Sequence, residues 1–219
     1  MGIFNIDGKF FRALTKAGDF FLLGFFGLIF SLPVITIGAS ITAVFYVALK
    51  EVRDEEGYVF RGFLKSWKQN LVQSIVIELI LAALAGFLYM DFRIFYQMAN
   101  ENGSTAGRLL MFVIMGLMVL LAAVALYVFP VLAKFDNTVL ATFKNSLLLC
   151  MHHLPQTIAM LVATYVLIYF SAQFFTAFIV TIPLIYYIDA YILSRIFQQY
   201  VKKDDDSEGK DESTTKEEE

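Results

Sequence analysis

The chain has 219 residues, of which 58% are hydrophobic and 17% are charged, and its formal net charge is −3. This much apolar surface excludes an ordinary soluble domain of the same length and indicates that lipid is the natural solvent. The single cysteine, Cys150, excludes an internal disulfide and a paired-cysteine metal site. We therefore expect an all-α, multi-pass membrane bundle with no metal, no cofactor and no nucleic-acid partner.

The first apolar stretch, residues 20–49, follows a basic amphipathic segment and is interrupted at Pro33. Three basic residues precede the stretch and five follow it before residue 70. Because loops rich in Lys and Arg stay in the cytoplasm, both flanks favour the same side, which predicts a hairpin rather than one tilted helix. Its arms of about 17 residues are short for a crossing, so a re-entrant hairpin is the alternative.

The predicted turn of this hairpin contains Ser31, Pro33, Thr36 and Gly38. Proline cannot donate a backbone hydrogen bond, and the two hydroxyls can satisfy groups that the turn frees within lipid. Gly38, together with two alanines that follow it, would let the two arms pack closely.

The segment from Tyr58 to Asn70 has the clearest amphipathic pattern, with apolar and basic residues alternating at helical spacing. Its face consists of Phe60, Arg61, Phe63, Lys65, Trp67 and Lys68. We expect this helix to lie on the anionic cytoplasmic leaflet, where basic side chains and a tryptophan are favoured. Docking of a protein partner is the alternative.

Further apolar stretches bring the predicted number of crossings to about six. They are residues 71–96, 109–133, 154–170 and 174–193, with outer turns at Asn102-Gly103 and near residues 171–173. This arrangement leaves 15 of the 17 Lys and Arg residues on one face, because only Arg93 and Arg108 fall on the other. We therefore expect a plasma-membrane protein with both termini in the cytoplasm.

One membrane domain, residues 1–201, is followed by an acidic stretch, residues 202–219. That stretch holds four basic and nine acidic residues and no large apolar residue, which predicts a disordered cytoplasmic tail. Within the domain, residues 60–75 weakly match residues 143–158. Chance similarity and internal duplication both explain so short a match.

Two carboxylates, Glu78 and Asp189, lie inside the apolar spans. An unpaired charge at mid-bilayer costs about 3 kcal/mol or more, so such residues are candidates for function. Gln156 and Thr157 fall at a similar depth, and the four residues form a candidate intramembrane polar site. Ordinary interhelical hydrogen bonding is the favoured interpretation, and a proton-coupled transport site is the alternative. No Walker loop, nucleophile elbow or metalloprotease motif is present, so we do not expect an enzyme.

Two blocks, residues 31–40 and residues 56–70, resemble the signature of the YesL family of Gram-positive integral membrane proteins, which carry a domain of unknown function. Members often lie beside genes for carbohydrate uptake and polysaccharide degradation. The resemblance implies a non-enzymatic accessory or regulatory role in carbohydrate uptake. Subunits of a sugar ABC transporter or a sensor kinase would be the partners. A small secondary transporter is the alternative.

Overall fold

The computed structural model describes residues 9–53, 55, 58–100, 104–173 and 178–217, with side chains described for 14–53, 55, 58–100, 104–173, 178 and 180–200. All regular structure within these ranges is helical. The helices are α1 (Lys9–Phe30), α2 (Ile37–Glu51), α3 (Val59–Asn100), α4 (Thr105–Lys134), α5 (Val139–His152), α6 (Leu154–Gln173) and α7 (Phe178–Glu217).

The central helix is α2, the second arm of the predicted hairpin. Ten of its 15 residues are buried, and it contacts α1, α3, α4 and α7. Small and hydroxyl-bearing residues fill its first turns, where Thr42 hydrogen-bonds Ser74 of α3 at 3.1 Å. The buried side chains around α2 form one cluster with contributions from α1, α3, α4, α5, α6 and α7.

The predicted turn lies between α1 and α2 and includes a short 3-10 helix, Val34–Thr36. The Thr36 hydroxyl donates to the Phe30 and Pro33 carbonyls at 2.7 and 2.8 Å. Ser31 takes part through its backbone N–H, which donates to the Gly27 carbonyl at 3.1 Å. The turn is therefore confirmed, with the threonine supplying the side-chain hydrogen bonds.

Gly38 permits a close contact, but with different helices from those predicted. A Cβ atom on this residue would lie 2.7 Å from the Phe129 ring and 3.0 Å from the Ser74 carbonyl oxygen. Gly38 therefore packs α2 against α3 and α4 rather than against α1. Close approach of the two arms occurs instead at Gly27 of α1, where a Cβ would meet Val44 at 3.0 Å.

Five helical segments are long and apolar enough to cross a membrane. They are Val34–Glu51, Val59–Asn100, Thr105–Lys134, Leu154–Gln173 and Val180–Tyr200. The expectation of a helical membrane bundle is confirmed, whereas α1 is not among these segments in the described part of the chain, which gives one segment fewer than the six expected. The Asn102-Gly103 turn lies outside the described residues, and residues 171–173 belong to α6 rather than to a turn.

Two contacts of the α1–α2 hairpin indicate different depths for it relative to the crossing helices. Its tip, at Gly38, contacts α3 at Glu78, near the start of the apolar part of that helix. By contrast, Gly24 of α1 lies against Pro183, close to the N-terminal end of the α7 span. A fully crossing hairpin and a re-entrant one are both compatible with these contacts.

The last helix, α7, ends at Glu217 and so includes most of the segment for which a disordered tail was expected. Its side chains beyond Tyr200 lie outside the described part of the chain. The division at residue 202 stays a prediction.

Candidate functional site

The predicted intramembrane polar site is divided between two places in the fold. Glu78 belongs to α3 and lies against the start of α2. Its Oε2 accepts a hydrogen bond from the Gly38 N–H at 2.9 Å. A carboxylate is favoured there because the first N–H groups of a helix have no partner within the helix and carry partial positive charge. Glu78 therefore acts as a side-chain cap for the central helix.

Asp189 lies elsewhere, within the core around α7. It is 2% exposed, and its Oδ1 has no hydrogen-bond partner. The Tyr127 and Tyr186 hydroxyls interact with it electrostatically. Tyr127 also hydrogen-bonds Thr157 at 2.8 Å, which brings that predicted residue close to the same cluster.

The other two predicted residues do not join this cluster. Gln156 is exposed on α6. Within the described part of the chain, no hydrogen bond or ion pair joins Glu78 to Asp189. The structure thus brings together Asp189 and Thr157, through Tyr127, and leaves Glu78 in a separate structural role.

The aromatic face of the predicted amphipathic helix packs against α1. Phe63 is fully buried, and its ring lies 6.0 Å from Phe26 and 5.1 Å from Phe30 of α1. Trp67 also packs against Phe30, at 5.3 Å. Residues 59–70 are the first turns of α3, and α1 covers part of their apolar side. The interfacial position of this segment stays a prediction. Arg61, Lys65 and Lys68 are exposed on the other side.

A polar cleft of about 800 Å³ opens where α3 meets the end of α4 and the connection to α5. We call it the basic cleft. It is lined by Tyr46, Lys65, Gln69, Asn70, Val72, Gln73, Leu132, Ala133, Lys134, Asp136, Asn137 and Thr138. On α3 the lining begins before the apolar stretch at Leu71, and on α4 it lies where the apolar stretch ends. The basic cleft therefore stands at the boundary between the apolar and charged parts of both helices.

Helical spacing and two short contacts build the walls of the basic cleft. Lys65, Gln69 and Gln73 recur every four residues and so share one side of α3. The Gln73 amide donates to the Asn137 carbonyl at 3.4 Å, which ties α3 to the α4–α5 connection. Thr138 then caps α5 by accepting from the Ala141 N–H at 3.4 Å. These contacts fix the connection against α3.

The electrostatics of the basic cleft are dominated by cations. The Lys134 ammonium is repelled by Arg53 and Lys50 and attracted by Glu55. Glu55 itself pairs with Arg53 at 3.3 Å. Lys65 and Lys134 have no ion-pair partner among the side chains that the structure describes. With Asp136 included, the charged side chains of the lining sum to +1.

Sequence reasoning identified Lys65 as part of an amphipathic face but did not predict the basic cleft. The cleft joins Tyr46 of α2 to Asn137, and nothing in the spacing of such distant residues predicts that they meet. A local signal was available in Gln69, Asn70 and Gln73, three amide side chains at the start of an apolar stretch. No group of three His, Cys, Asp or Glu residues within the described ranges could hold a metal ion.

The fold and these surfaces define an α-helical membrane protein with a polar, predominantly basic end. Within this class, residues 20–92 match a family described as "Protein of unknown function, DUF624". The uncharacterized protein YteU of Bacillus subtilis (strain 168) is 28% identical over 152 residues, which cover 69% of this chain and 66% of YteU, slightly less than two thirds of its length. No solved structure matches the chain.

Proposed function

We propose that this protein is a non-enzymatic membrane component that assists or regulates carbohydrate uptake by binding a partner at its basic end. The observation that carries the binding part is the exposed cationic side of α3, formed by Arg61, Lys65 and Lys68. Like-charged side chains near one another favour an anionic partner, since complementary charge both steers and orients association.

The carbohydrate part of the proposal has a different basis. It rests on the resemblance of residues 31–40 and 56–70 to the YesL family, and the match of residues 20–92 to a family of unknown function is compatible with it. Subunits of a sugar ABC transporter, or a sensor kinase, are the proposed partners.

Affinity purification tests this proposal. The tagged full chain is recovered from gently solubilised membranes of its own host, grown on several polysaccharides, and the co-purifying proteins are identified by mass spectrometry. We expect subunits of a sugar importer, or a sensor kinase, in stoichiometric amounts. Substituting Arg61, Lys65 and Lys68 by glutamine should reduce their recovery several-fold. Recovery of the protein alone under every growth condition would contradict the proposal.

A matched control comes from the two basic residues outside this end. Arg93→Gln combined with Arg108→Gln also removes exposed positive charge, but at the other ends of α3 and α4. Partner recovery should be unchanged in this variant. An equal loss in both variants would indicate a general charge effect rather than a docking surface.

We also propose that the basic end and both termini face the cytoplasm across the plasma membrane. Reporter fusions at Met1, Glu56 and Asn102 test the orientation, with the first two positions expected inside and the third outside. An external position for Glu56 would contradict the hairpin arrangement of residues 20–49.

A second candidate function is a small secondary transporter. The observation that favours it is Asp189, a carboxylate that is almost fully buried and has an oxygen without a hydrogen-bond partner. Buried ionisable groups within a membrane often serve proton or substrate pathways. Uptake by vesicles containing the purified protein should then be abolished by Asp189→Asn and retained in Gln156→Ala. If Asp189→Asn leaves uptake unchanged, Asp189 has no role in transport, and if the unmodified protein shows no uptake, the transporter candidate is lost.

A further inference from the structure

The basic cleft has features of a binding site for a small anion rather than for a protein surface. It is a concave space of about 800 Å³, within the size range of pockets for small ligands. Two lysines line it without an ion-pair partner among the described side chains. A pair of ammonium groups facing one concavity is stabilised when an anion enters between them.

The polar lining adds hydrogen-bonding groups to this charge. Gln69 is exposed in the basic cleft, and Tyr46 presents a hydroxyl that accepts from Lys50 Nζ at 2.9 Å. Arg53 and Lys50 lie near enough to Lys134 to repel it, and Glu55, which pairs with Arg53, offsets part of that repulsion. The single opposing carboxylate of the lining, Asp136, is exposed at its edge.

The position of the basic cleft limits which kinds of anion could fit it. Val72, Leu132 and Ala133 form an apolar wall next to the polar one. The boundary between apolar and charged parts of a membrane helix is the level at which lipid headgroups stand. A group that carries a phosphate beside an apolar or glycerol-like portion matches both walls, and lysine is a common point-charge partner of phosphate.

We propose that the basic cleft binds a phosphate-bearing group through Lys65 and Lys134. The phosphate oxygens lie between the two ammonium groups, and Gln69 donates a further hydrogen bond. The source of the phosphate is either the headgroup of an anionic phospholipid or a free phosphorylated molecule, because both present the same chemistry to these side chains. Lys65 also belongs to the partner surface proposed above, whereas Lys134 and Gln69 do not, and the site is separate from the Asp189 cluster.

Lipid binding by the purified full chain provides the first test. Protein in a neutral detergent is mixed with phosphatidylglycerol or phosphatidylcholine, and bound lipid is counted by native mass spectrometry. We expect preferential retention of phosphatidylglycerol, and a loss of affinity of about tenfold or more in the double variant Lys65→Gln/Lys134→Gln. The matched control is Lys68→Gln/Lys144→Gln, which removes two exposed lysines that do not line the basic cleft and should change affinity less than about twofold.

Inorganic phosphate distinguishes the two sources. If millimolar phosphate displaces phosphatidylglycerol from the unmodified protein, the basic cleft accepts free phosphate. If phosphate does not displace the lipid, while the variant Lys65→Gln/Lys134→Gln still binds phosphatidylglycerol more weakly, the lipid headgroup is the source. Equal losses in the cleft and control variants, or equal retention of the two lipids, would overturn the proposal.

A measurement on the unmodified protein guards against a variant that fails to fold. A photoreactive phosphatidylglycerol is cross-linked in vesicles, and the labelled peptides are identified. Label within residues 65–73 or 132–138 is expected. Label found only elsewhere would overturn the proposal whatever the variants show.

Discussion

The central helix and the C-terminal half of α3, residues 79–100, are both largely apolar, yet the first is buried within the protein and the second is exposed on its surface. Ten of the 15 residues of α2 are buried. In α3 only five of 42 residues are buried, and of these only Ala99 lies beyond Ile77. The exposed residues in between include large apolar ones such as Leu79 and Phe87, together with small ones such as Ala83 and Gly86.

Part of this difference follows from what draws helices together in a membrane. Lipid solvates a large apolar side chain as well as a protein core does, so hydrophobicity alone does not draw helices together. Close packing and interhelical hydrogen bonds do, and they require small or hydroxyl-bearing residues. Gly38 and Thr42 of α2 are of this kind and are buried, whereas the large Phe87 side chain of α3 is exposed on the surface of the fold.

The largest contrast is expected between two phenylalanines of the same helix. Phe63→Ala removes a fully buried ring that packs against α1 and should lower the free energy of unfolding by about 3–5 kcal/mol. Phe87→Ala changes a side chain that is 64% exposed and should cost about 0.5 kcal/mol or less. Thermal and denaturant unfolding in detergent would compare them. Equal destabilisation would show that the C-terminal half of α3 is packed against other protein surface in solution.

A somewhat smaller effect is expected at the cap of the central helix. Glu78→Ala removes the acceptor of the Gly38 N–H and should cost about 1.5–3 kcal/mol, the usual value for a hydrogen bond to a charged group. Glu78→Gln keeps an acceptor oxygen and should recover much of that loss. If the alanine variant unfolds like the unmodified protein, the carboxylate has no capping role, and the transport interpretation of Glu78 gains support.

Two glycines offer the third comparison. Gly38→Ala places a Cβ 2.7 Å from the Phe129 ring and should cost about 1–3 kcal/mol through overpacking. Gly86→Ala meets no atom within 4 Å and should stabilise α3 by up to about 1 kcal/mol, because alanine is the better helix former. Opposite signs in the unfolding temperature would confirm the comparison, and a neutral Gly38→Ala would contradict it.

The smallest effect concerns pH and lies at the junction of α5 and α6. Burial, reinforced by repulsion from His152, lowers the pKa of His153 below its ordinary value of 6.5. The unfolded chain therefore binds a proton more readily than the folded one as the pH falls below about 6.5, and stability decreases in that direction. The Tyr200 hydroxyl lies 3.3 Å from the His153 Nε2.

Unfolding temperatures measured between about pH 5 and 8 would reveal this dependence. We expect His153→Gln to reduce the slope, and His152→Gln, which leaves the partly buried His153 ring in place, to retain most of it. An unchanged slope in His153→Gln would assign the pH dependence to other groups.

The architecture was largely predictable from the sequence because its signals are local. A proline between apolar arms and a basic residue pattern on both flanks suffice to predict the turn at Pro33. The amphipathic period of residues 58–70 likewise predicts a helix. Periodicity gives the apolar face of a helix without telling what covers it, and here α1 packs against Phe63 and Trp67.

The sites were less predictable because they depend on how helices rotate against one another. Glu78 and Asp189 were recognised as costly groups within apolar spans, yet depth alone does not bring two residues together. Tyr46 and Lys134 both line the basic cleft, and their proximity depends on the packing of α2, α3 and α4. No spacing rule for single helices contains that information.

The continuity of α3 gives it a mechanical property. Its 42 residues form one helix about 63 Å long, roughly twice the thickness of a hydrocarbon core. Lys65 near one end and Asn100 at the other belong to the same stiff rod, about 52 Å apart along its axis. A tilt of about 5° that pivots at Lys65 therefore displaces Asn100 by about 4.6 Å, so that a small rearrangement at one face of the membrane is magnified at the opposite face.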